Sequence, residues 1–393
     1  MDPIKNPYSP GAGTPPPELA GRSELIARST VALERIRARR AARSFIYYGL
    51  RGVGKTVLLN KIRQDAEARD CACVWVEAPE DRSLPALLLP PLRAALIKLS
   101  AGEATRAALQ KAFIALSGFA SAMKVKYNDI ELVLDYKPEK GIADSGDLEN
   151  DLVELFSRIG EAALEKGTIV AIFIDELQYL KEAQLAALIT ALHRISQNQL
   201  PVTMIAAGLP QVLGQTGKAK SYAERLFEFI RIGSLDENAA KDALCLPAKR
   251  ENVVFEDGAI REILKQTQCY PYFLQEWGKH SWDIAKDTTI RLADVKTATI
   301  TALAELDSSF FRVRFDRLTP AEKRYVRAMA ELGVGPHRSG DIAEKLGRAV
   351  SSVAPLRSQL ISKGMVYSPA FGDTDFTVPL FEGFLKRIMP QFE

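Results

Sequence analysis

The stretch Gly49-Leu50-Arg51-Gly52-Val53-Gly54-Lys55-Thr56 constrains this chain more than any other. It follows the apolar run Ser44-Phe45-Ile46-Tyr47-Tyr48 and precedes the helical pattern Val57, Leu58, Leu59, Ile62. A strand that breaks into Gly-x-x-x-x-Gly-Lys-Thr and re-enters a helix is a phosphate-binding P-loop in the context the motif requires. Glycines at 49, 52 and 54 let the backbone curl so that successive N–H groups point inward. The helix starting near Lys55 adds its positive end to the same spot. Lys55 is then expected to reach the β- and γ-phosphates of a nucleotide, and the Thr56 hydroxyl to ligate Mg²⁺.

A second stretch belongs to the same chemistry. Thr168-Ile169-Val170-Ala171-Ile172-Phe173-Ile174 is nearly all apolar and ends in Asp175-Glu176. Such a run reads as a buried parallel strand whose acidic end lies at the C-terminal edge of the sheet, where the P-loop also opens. Asp175 is expected to hold Mg²⁺ through water, and Glu176 to orient and deprotonate the attacking water. Strands at 73–76, 202–207 and 229–232 alternate with helices at 55–69, 83–121, 147–166 and 177–197, which predicts a three-layer α/β core. One strand is expected between the P-loop strand and the acidic strand. Alternating runs at 123–127 and 130–134 around Asn128-Asp129 read as a hairpin, so residues 100–145 form an insertion in the alternation.

At 393 residues the chain predicts two or three domains. Residues 1–20 are rich in Pro and Gly and read as a strap or a disordered tail. The core spans 21–235. From Asp236 the strand patterns stop, and helices at 236–246, 257–267, 271–286 and 291–306 form a lid over 236–310. Residues 317–393 begin with Thr319 as a helix cap before Pro320. They continue through helices ending near Leu332, Leu346 and Lys363, and close with a hairpin of 365–369 and 375–379, which describes a winged helix-turn-helix. Its third helix is expected to enter the major groove of double-stranded DNA, presenting Ser351, Ser352, Arg357 and Lys363. Asp373 and Asp375 at the wing would repel phosphate, which leaves a protein-binding winged helix open.

Other classes are excluded or left unsupported by composition. No apolar run is long enough to span a membrane, and Met1-Asp2-Pro3-Ile4-Lys5 lacks a secretory core, so a cytoplasmic protein is expected. A net charge of +3 is too small to identify a nucleic-acid partner by itself. The four cysteines form neither a disulfide framework nor a metal pair, and His193, His280 and His337 are too scattered for a metal site.

Gly21-Arg22-Ser23-Glu24-Leu25, the P-loop, Ile174-Asp175-Glu176-Leu177-Gln178, a helical lid and a winged helix together resemble the AAA+ ATPases of the origin-recognition-complex type. The similarity extends to the bacterial and archaeal ATP-binding proteins of that clade. The resemblance covers nearly the whole chain and implies ATP with Mg²⁺. Its nucleotide-binding set would be Gly49, Arg51, Gly52, Val53, Gly54, Lys55, Thr56 and Val57, with Arg22 beside the adenine and Pro271 from the lid's Gly-x-Pro element. There Cys269 replaces the glycine. Arg225 in Ala223-Glu224-Arg225-Leu226-Phe227 is similar to the arginine that senses γ-phosphate across a subunit boundary, which implies a homo-oligomer. Catalysis would rest on Glu176, Lys55 and Arg225. Ala206-Ala207 stands where many AAA+ proteins carry a polar sensor, so slow or partner-stimulated hydrolysis is expected. The function implied is an ATP-hydrolysing switch that couples nucleotide state to duplex DNA binding. A signalling or defence ATPase of the STAND type, whose C-terminal domain binds protein, is the alternative.

Overall fold

The computed structural model describes the chain apart from residues 12, 80, 81, 101–105, 125–136 and 393, and the Arg106 side chain. It divides into two bodies, one of Arg22–Tyr48 with Lys55–Arg231, the other of Met1–Gly21 with Gly49–Gly54 and Ile232–Glu393.

The first body runs α1 (Ser23–Arg37), β1 (Ser44–Tyr48), α2 (Lys55–Glu67), β2 (Ala72–Glu77), α3 (Leu84–Leu99), α4 (Arg106–Ala122), α5 (Leu148–Glu165) and β3 (Val170–Asp175). It continues through α6 (Glu182–Gln197), β4 (Val202–Gly208), α7 (Val212–Ala219), α8 (Ala223–Leu226) and β5 (Phe227–Arg231). The five strands are parallel in the order β2-β3-β4-β1-β5. β4 therefore lies between β1 and β3, as the expected inserted strand. β3 and β4 are buried along their whole length, which is why both read as near-continuous apolar runs instead of alternating ones. Tyr48 pairs with Gly208 and Ile174 with Ala206. This register brings the end of β1 and the acidic end of β3 to one edge of the sheet.

Within 83–121 the described residues form two helices, α3 and α4, where one helical stretch was expected. Both feed the same core as β2 and α5, with Leu92, Leu96, Leu116 and Phe119 fully covered. The hairpin expected at 123–134 falls outside the described residues from 125 onward.

In the second body the N-terminal segment is a strap. Trp282 Nε1 donates to the Asp2 carbonyl at 3.0 Å, the Met1 ammonium to the Ala285 carbonyl at 2.7 Å, and the buried Tyr8 hydroxyl to the Leu244 carbonyl. Its partners lie on α9 (Glu237–Arg250) and on or just after α11 (Pro271–Ile284); the lid segment that holds them also contains β6 (Val254–Phe255), α10 (Asp257–Thr267), β7 (Thr289–Ile290) and α12 (Leu292–Glu305). The expectation that strands cease at Asp236 is corrected here: β6 and β7 pair in parallel. Two-residue strands are too short to leave a period of two in the sequence.

A π-helix at Leu306–Phe311 continues α12. The C-terminal domain follows as α13 (Arg312–Asp316), α14 (Pro320–Leu332), β8 (His337–Arg338), α15 (Ser339–Lys345), α16 (Val350–Ser362), β9 (Val366–Tyr367), β10 (Asp373–Phe376) and α17 (Phe381–Ile388). β10 pairs antiparallel with both β9 and β8, so three strands stand where a hairpin was expected. α14 opens on a capping box: the Glu322 N–H donates to Thr319 Oγ1, and the Thr319 N–H donates to Glu322 Oε2 at 2.7 Å. The unanticipated α17 places Phe381 and Phe384 against Phe311, and Phe384 also against Phe315. No helix among the described residues is long and apolar enough to cross a membrane.

Candidate nucleotide site

In the first body the chemistry gathers at the sheet edge. Lys55 and Thr56 begin α2, and the Thr56 hydroxyl donates to Asp175 Oδ2 at 2.6 Å. The other Asp175 oxygen accepts from the Glu176 N–H at 2.8 Å. Burial pushes the Asp175 carboxyl up, opposed by the Thr56 and Glu176 hydrogen bonds and by the Lys55 charge. A hydroxyl and a carboxylate in contact, with a buried lysine exerting its charge on them, form a hard-oxygen donor set that suits Mg²⁺.

Glu176 follows with φ of +54°, a left-handed backbone that non-glycine residues adopt at a cost and that recurs at functional sites. Its carboxylate accepts a hydrogen bond from Gln178 Nε2, while Gln178 Oε1 accepts from the Leu209 N–H at 2.9 Å. The buried Gln178 thus ties Glu176 to the loop after β4, beside the Ala206-Ala207 end of that strand. Sequence reasoning missed this role. The residue stood in the Asp-Glu-Leu-Gln motif, but its two partners come from separate turns.

The loop Gly49–Gly54 has contacts inside the second body. Gly52 and Gly54 have φ of +84° and +88°. Gly49 is required for another reason: a Cβ there would stand 2.0 Å from the Ile232 carbonyl oxygen. The Tyr272 N–H donates to the Gly52 carbonyl at 3.2 Å, the Tyr270 hydroxyl to the Arg51 carbonyl, and the Arg51 N–H to the Thr377 carbonyl at 3.2 Å. Pro271 sits between those tyrosines as the first residue of α11. Cys269 has φ of +55°, so the position where the family pattern carries glycine lies in the left-handed region that glycine favours. Arg314, from α13, lies with its guanidinium 3.9 Å from the Phe310 ring centre. Burial, then the neighbouring Arg51 charge, lowers its pKa to about 10.

Val53 is buried, and Val57 is half-buried on α2. Arg22 is buried at the start of α1, its carbonyl accepting from Ile26. Arg225 is exposed at the opposite edge of the sheet from Asp175, since Phe227 pairs with Ser44 at the start of β1. A five-residue strand separates those edges by roughly 16 Å. Arg225 shares a cavity of about 500 Å³ with Arg39, Arg40 and Arg43. It does not reach the Thr56–Asp175 cluster of its own chain.

The residues expected to touch DNA differ among themselves. Ser351 and Ser352 are exposed in the first turn of α16. Arg357 turns inward, donating to Thr374 Oγ1 at 2.7 Å, Ser368 Oγ at 2.7 Å and the Asp373 carbonyl at 2.8 Å. Lys363 donates to the fully buried Glu322 at 2.7 Å and to the Arg317 carbonyl at 3.2 Å.

The strand order and the loop between β1 and α2 define a P-loop α/β fold of the AAA+ class. Residues 18–205 match the family described as AAA ATPase domain, and residues 308–385 match a domain of unknown function, DUF8462. Residues 18–205 therefore match an AAA ATPase domain, and the resemblance drawn from the motifs is borne out at that level. Among solved structures it is similar to the Walker-type ATPase PABY2304 of Pyrococcus abyssi, at 18% identity over 95% of this chain and 97% of that one, with a TM-score of 0.59. The Aeropyrum pernix Orc1 protein in complex with DNA matches at 16% identity, 95% and 94% coverage and a TM-score of 0.46. Cdc6p from Pyrobaculum aerophilum matches at 12% identity, 99% and 98% coverage and a TM-score of 0.47. No curated protein matches the chain.

Proposed function

We propose that the chain is an ATP-hydrolysing switch of the origin-recognition type, whose nucleotide state is passed to a C-terminal winged helix that docks on duplex DNA. The observation that carries the coupling is the hydrogen bond from the Arg51 N–H to the Thr377 carbonyl. It joins the phosphate loop directly to the segment that follows β10. A loop that reshapes around phosphate must keep or break that bond, and so acts on the C-terminal domain in either case.

In this reading the loop N–H groups and Lys55 hold the phosphates, and Thr56 and Asp175 hold Mg²⁺, which offsets the charge on the phosphate oxygens when bound. Glu176 takes a proton from the attacking water once Gln178 releases its carboxylate. Arg225, too far from its own site, serves the nucleotide of a neighbouring copy in a homo-oligomer. Turnover is slow until that neighbour or another protein partner completes the site.

Ser351, Ser352 and Arg348 are exposed on the C-terminal domain, and in this reading they face the duplex. Fluorescence anisotropy with a labelled duplex, with and without ATP, tests this. Affinity is expected to depend on ATP, to fall steeply between about 50 mM and 200 mM salt, and to drop in Arg348→Glu. Absence of binding at low salt would sink it. A second reading rests on Phe371, fully exposed between β9 and β10, and on the internal use of Arg357 and Lys363. Both suit a protein-binding surface of the STAND type.

A further inference from the structure

The lid holds a second cluster of ligand-type side chains. Glu276 and His280 are four residues apart on α11 and so share a face of the helix. Glu305 closes α12, immediately before the π-helix Leu306–Phe311. His280 Nε2 stands 3.1 Å from Glu305 Oε2 and 3.8 Å from Glu276 Oε2, and the three donor atoms all lie within 4.8 Å of one another. Bonds of about 2.0–2.2 Å to one tetrahedral Zn²⁺ hold neighbouring ligand atoms roughly 3.4 Å apart. The observed spacing needs only small side-chain adjustments to meet that.

We infer that Glu276, His280 and Glu305 form a site for one Zn²⁺ ion. Burial supplies the second, independent observation. Glu276 and His280 are only 4% and 6% exposed, and Glu276 Oε2 and His280 Nε2, the atoms that face each other, both lack a hydrogen-bond partner. The Glu305 carboxylate approaches the imidazole at 3.1 Å as an ion pair. Buried polar atoms are nearly always satisfied, and a divalent ion between these two would satisfy both at once.

The surroundings match what metal sites require. The Tyr272 hydroxyl hydrogen-bonds Glu276, and Lys279 Nζ lies 3.2 Å from the other Glu305 oxygen, so both carboxylates are oriented from outside the cluster. Glu305 is 46% exposed in its side chain, which gives the ion a way in. An imidazole with two carboxylates favours Zn²⁺ over Mg²⁺ or Ca²⁺, which prefer all-oxygen sets. The site shares no residue with the Thr56–Asp175 cluster. Because the Tyr272 N–H also holds the Gly52 carbonyl, the ion would brace the lid helix that supports the phosphate loop.

The test uses the full chain, stripped of metal with a chelator and titrated with ZnCl₂ by calorimetry, with stoichiometry from native mass spectrometry. One Zn²⁺ per chain is expected, not displaced by Mg²⁺. Glu276→Gln, His280→Gln and Glu305→Gln should each weaken it by at least about tenfold, and Tyr272→Phe by roughly 10–100-fold. Glu305 is at the surface, so Glu305→Gln stays informative even if a buried substitution fails to fold. Co²⁺ in the wild-type site should give tetrahedral absorption bands without thiolate charge transfer. No uptake by the wild-type chain, uptake unchanged in Glu305→Gln, or a thiolate signature pointing to Cys71 and Cys73 would overturn the inference.

Discussion

The sheet edge of the first body and the α16 face of the C-terminal domain look alike as sequence, each a few polar residues beside apolar ones, yet they use those residues in opposite ways. Thr56 and Asp175 come together from 119 positions apart and leave the sheet edge with a metal-type donor set. Arg357 and Lys363 lie on or just after one helix and turn back into their own domain. The difference is one of what fixes the side chain. A residue at the end of a buried parallel strand, or at the first turn after a glycine loop, has its direction set by the backbone. A long basic side chain on a helix follows whichever acceptor lies nearest, and sequence does not reveal that acceptor.

The largest effect that would sharpen the comparison is at Glu176. Glu176→Gln is expected to cut ATP turnover by about 10²–10⁴-fold while ATP affinity holds, measured by phosphate release and by binding of a fluorescent ATP analogue. Wild-type turnover in this variant would remove Glu176 from the role of base. Lys55→Ala should weaken ATP binding by about 10–100-fold, the loss of a charge-assisted contact. Gln178→Ala works in the other direction. With a hydrogen bond of about 1.5 kcal/mol no longer holding the Glu176 carboxylate, turnover should rise by roughly tenfold. A fall would mean that Gln178 orients the glutamate instead of restraining it.

Breaking the other half of the comparison calls for stability measurements. Arg357→Ala removes three hydrogen bonds that tie α16 to β10 and to the turn before it. It should destabilise the C-terminal domain by about 2–3 kcal/mol, read from hydrogen exchange of the α14 and α16 amides. If those amides are unmoved while DNA affinity and its salt dependence drop, Arg357 belongs to an interface after all. A DNA-binding assay on this variant alone would confuse the two outcomes.

Legibility in the sequence followed the same division. The P-loop, the acidic strand and the four lid helices could be read because each is set by glycine placement or by sustained hydrophobic period. The α9 helix expected at 236–246 runs to Arg250, and the others end within two residues of expectation. The short strands β6, β7 and β8 have no period to read. Gln178 and Arg314 depend on contacts between separate turns. Cys269 looked like a departure from the glycine pattern, yet the backbone makes a left-handed turn with a cysteine in it. His280 was set aside because only histidines were counted; its partners are glutamates, one of them on a different helix.

The smallest expected effect concerns Glu322, where the helix cap and Lys363 meet. Glu322 is fully buried, and burial alone would raise its pKa. The hydrogen bonds from Lys363 and from Thr319 outweigh it and hold the carboxyl below its usual range. Because the folded pKa is the lower one, the stabilisation is complete above the unfolded value near about 4.3, and fades as pH falls through the folded value. Thr319→Ala removes the acceptor of the Glu322 N–H and should cost about 1 kcal/mol at neutral pH. Lys363→Met leaves the carboxylate buried without its cation, so it should cost more at neutral pH and less in acid, where Glu322 protonates. Protection of the α14 amides followed from pH 7 to about 3 separates the variants. Parallel curves for Lys363→Met and wild type would return Lys363 to the surface, where the sequence alone had placed it.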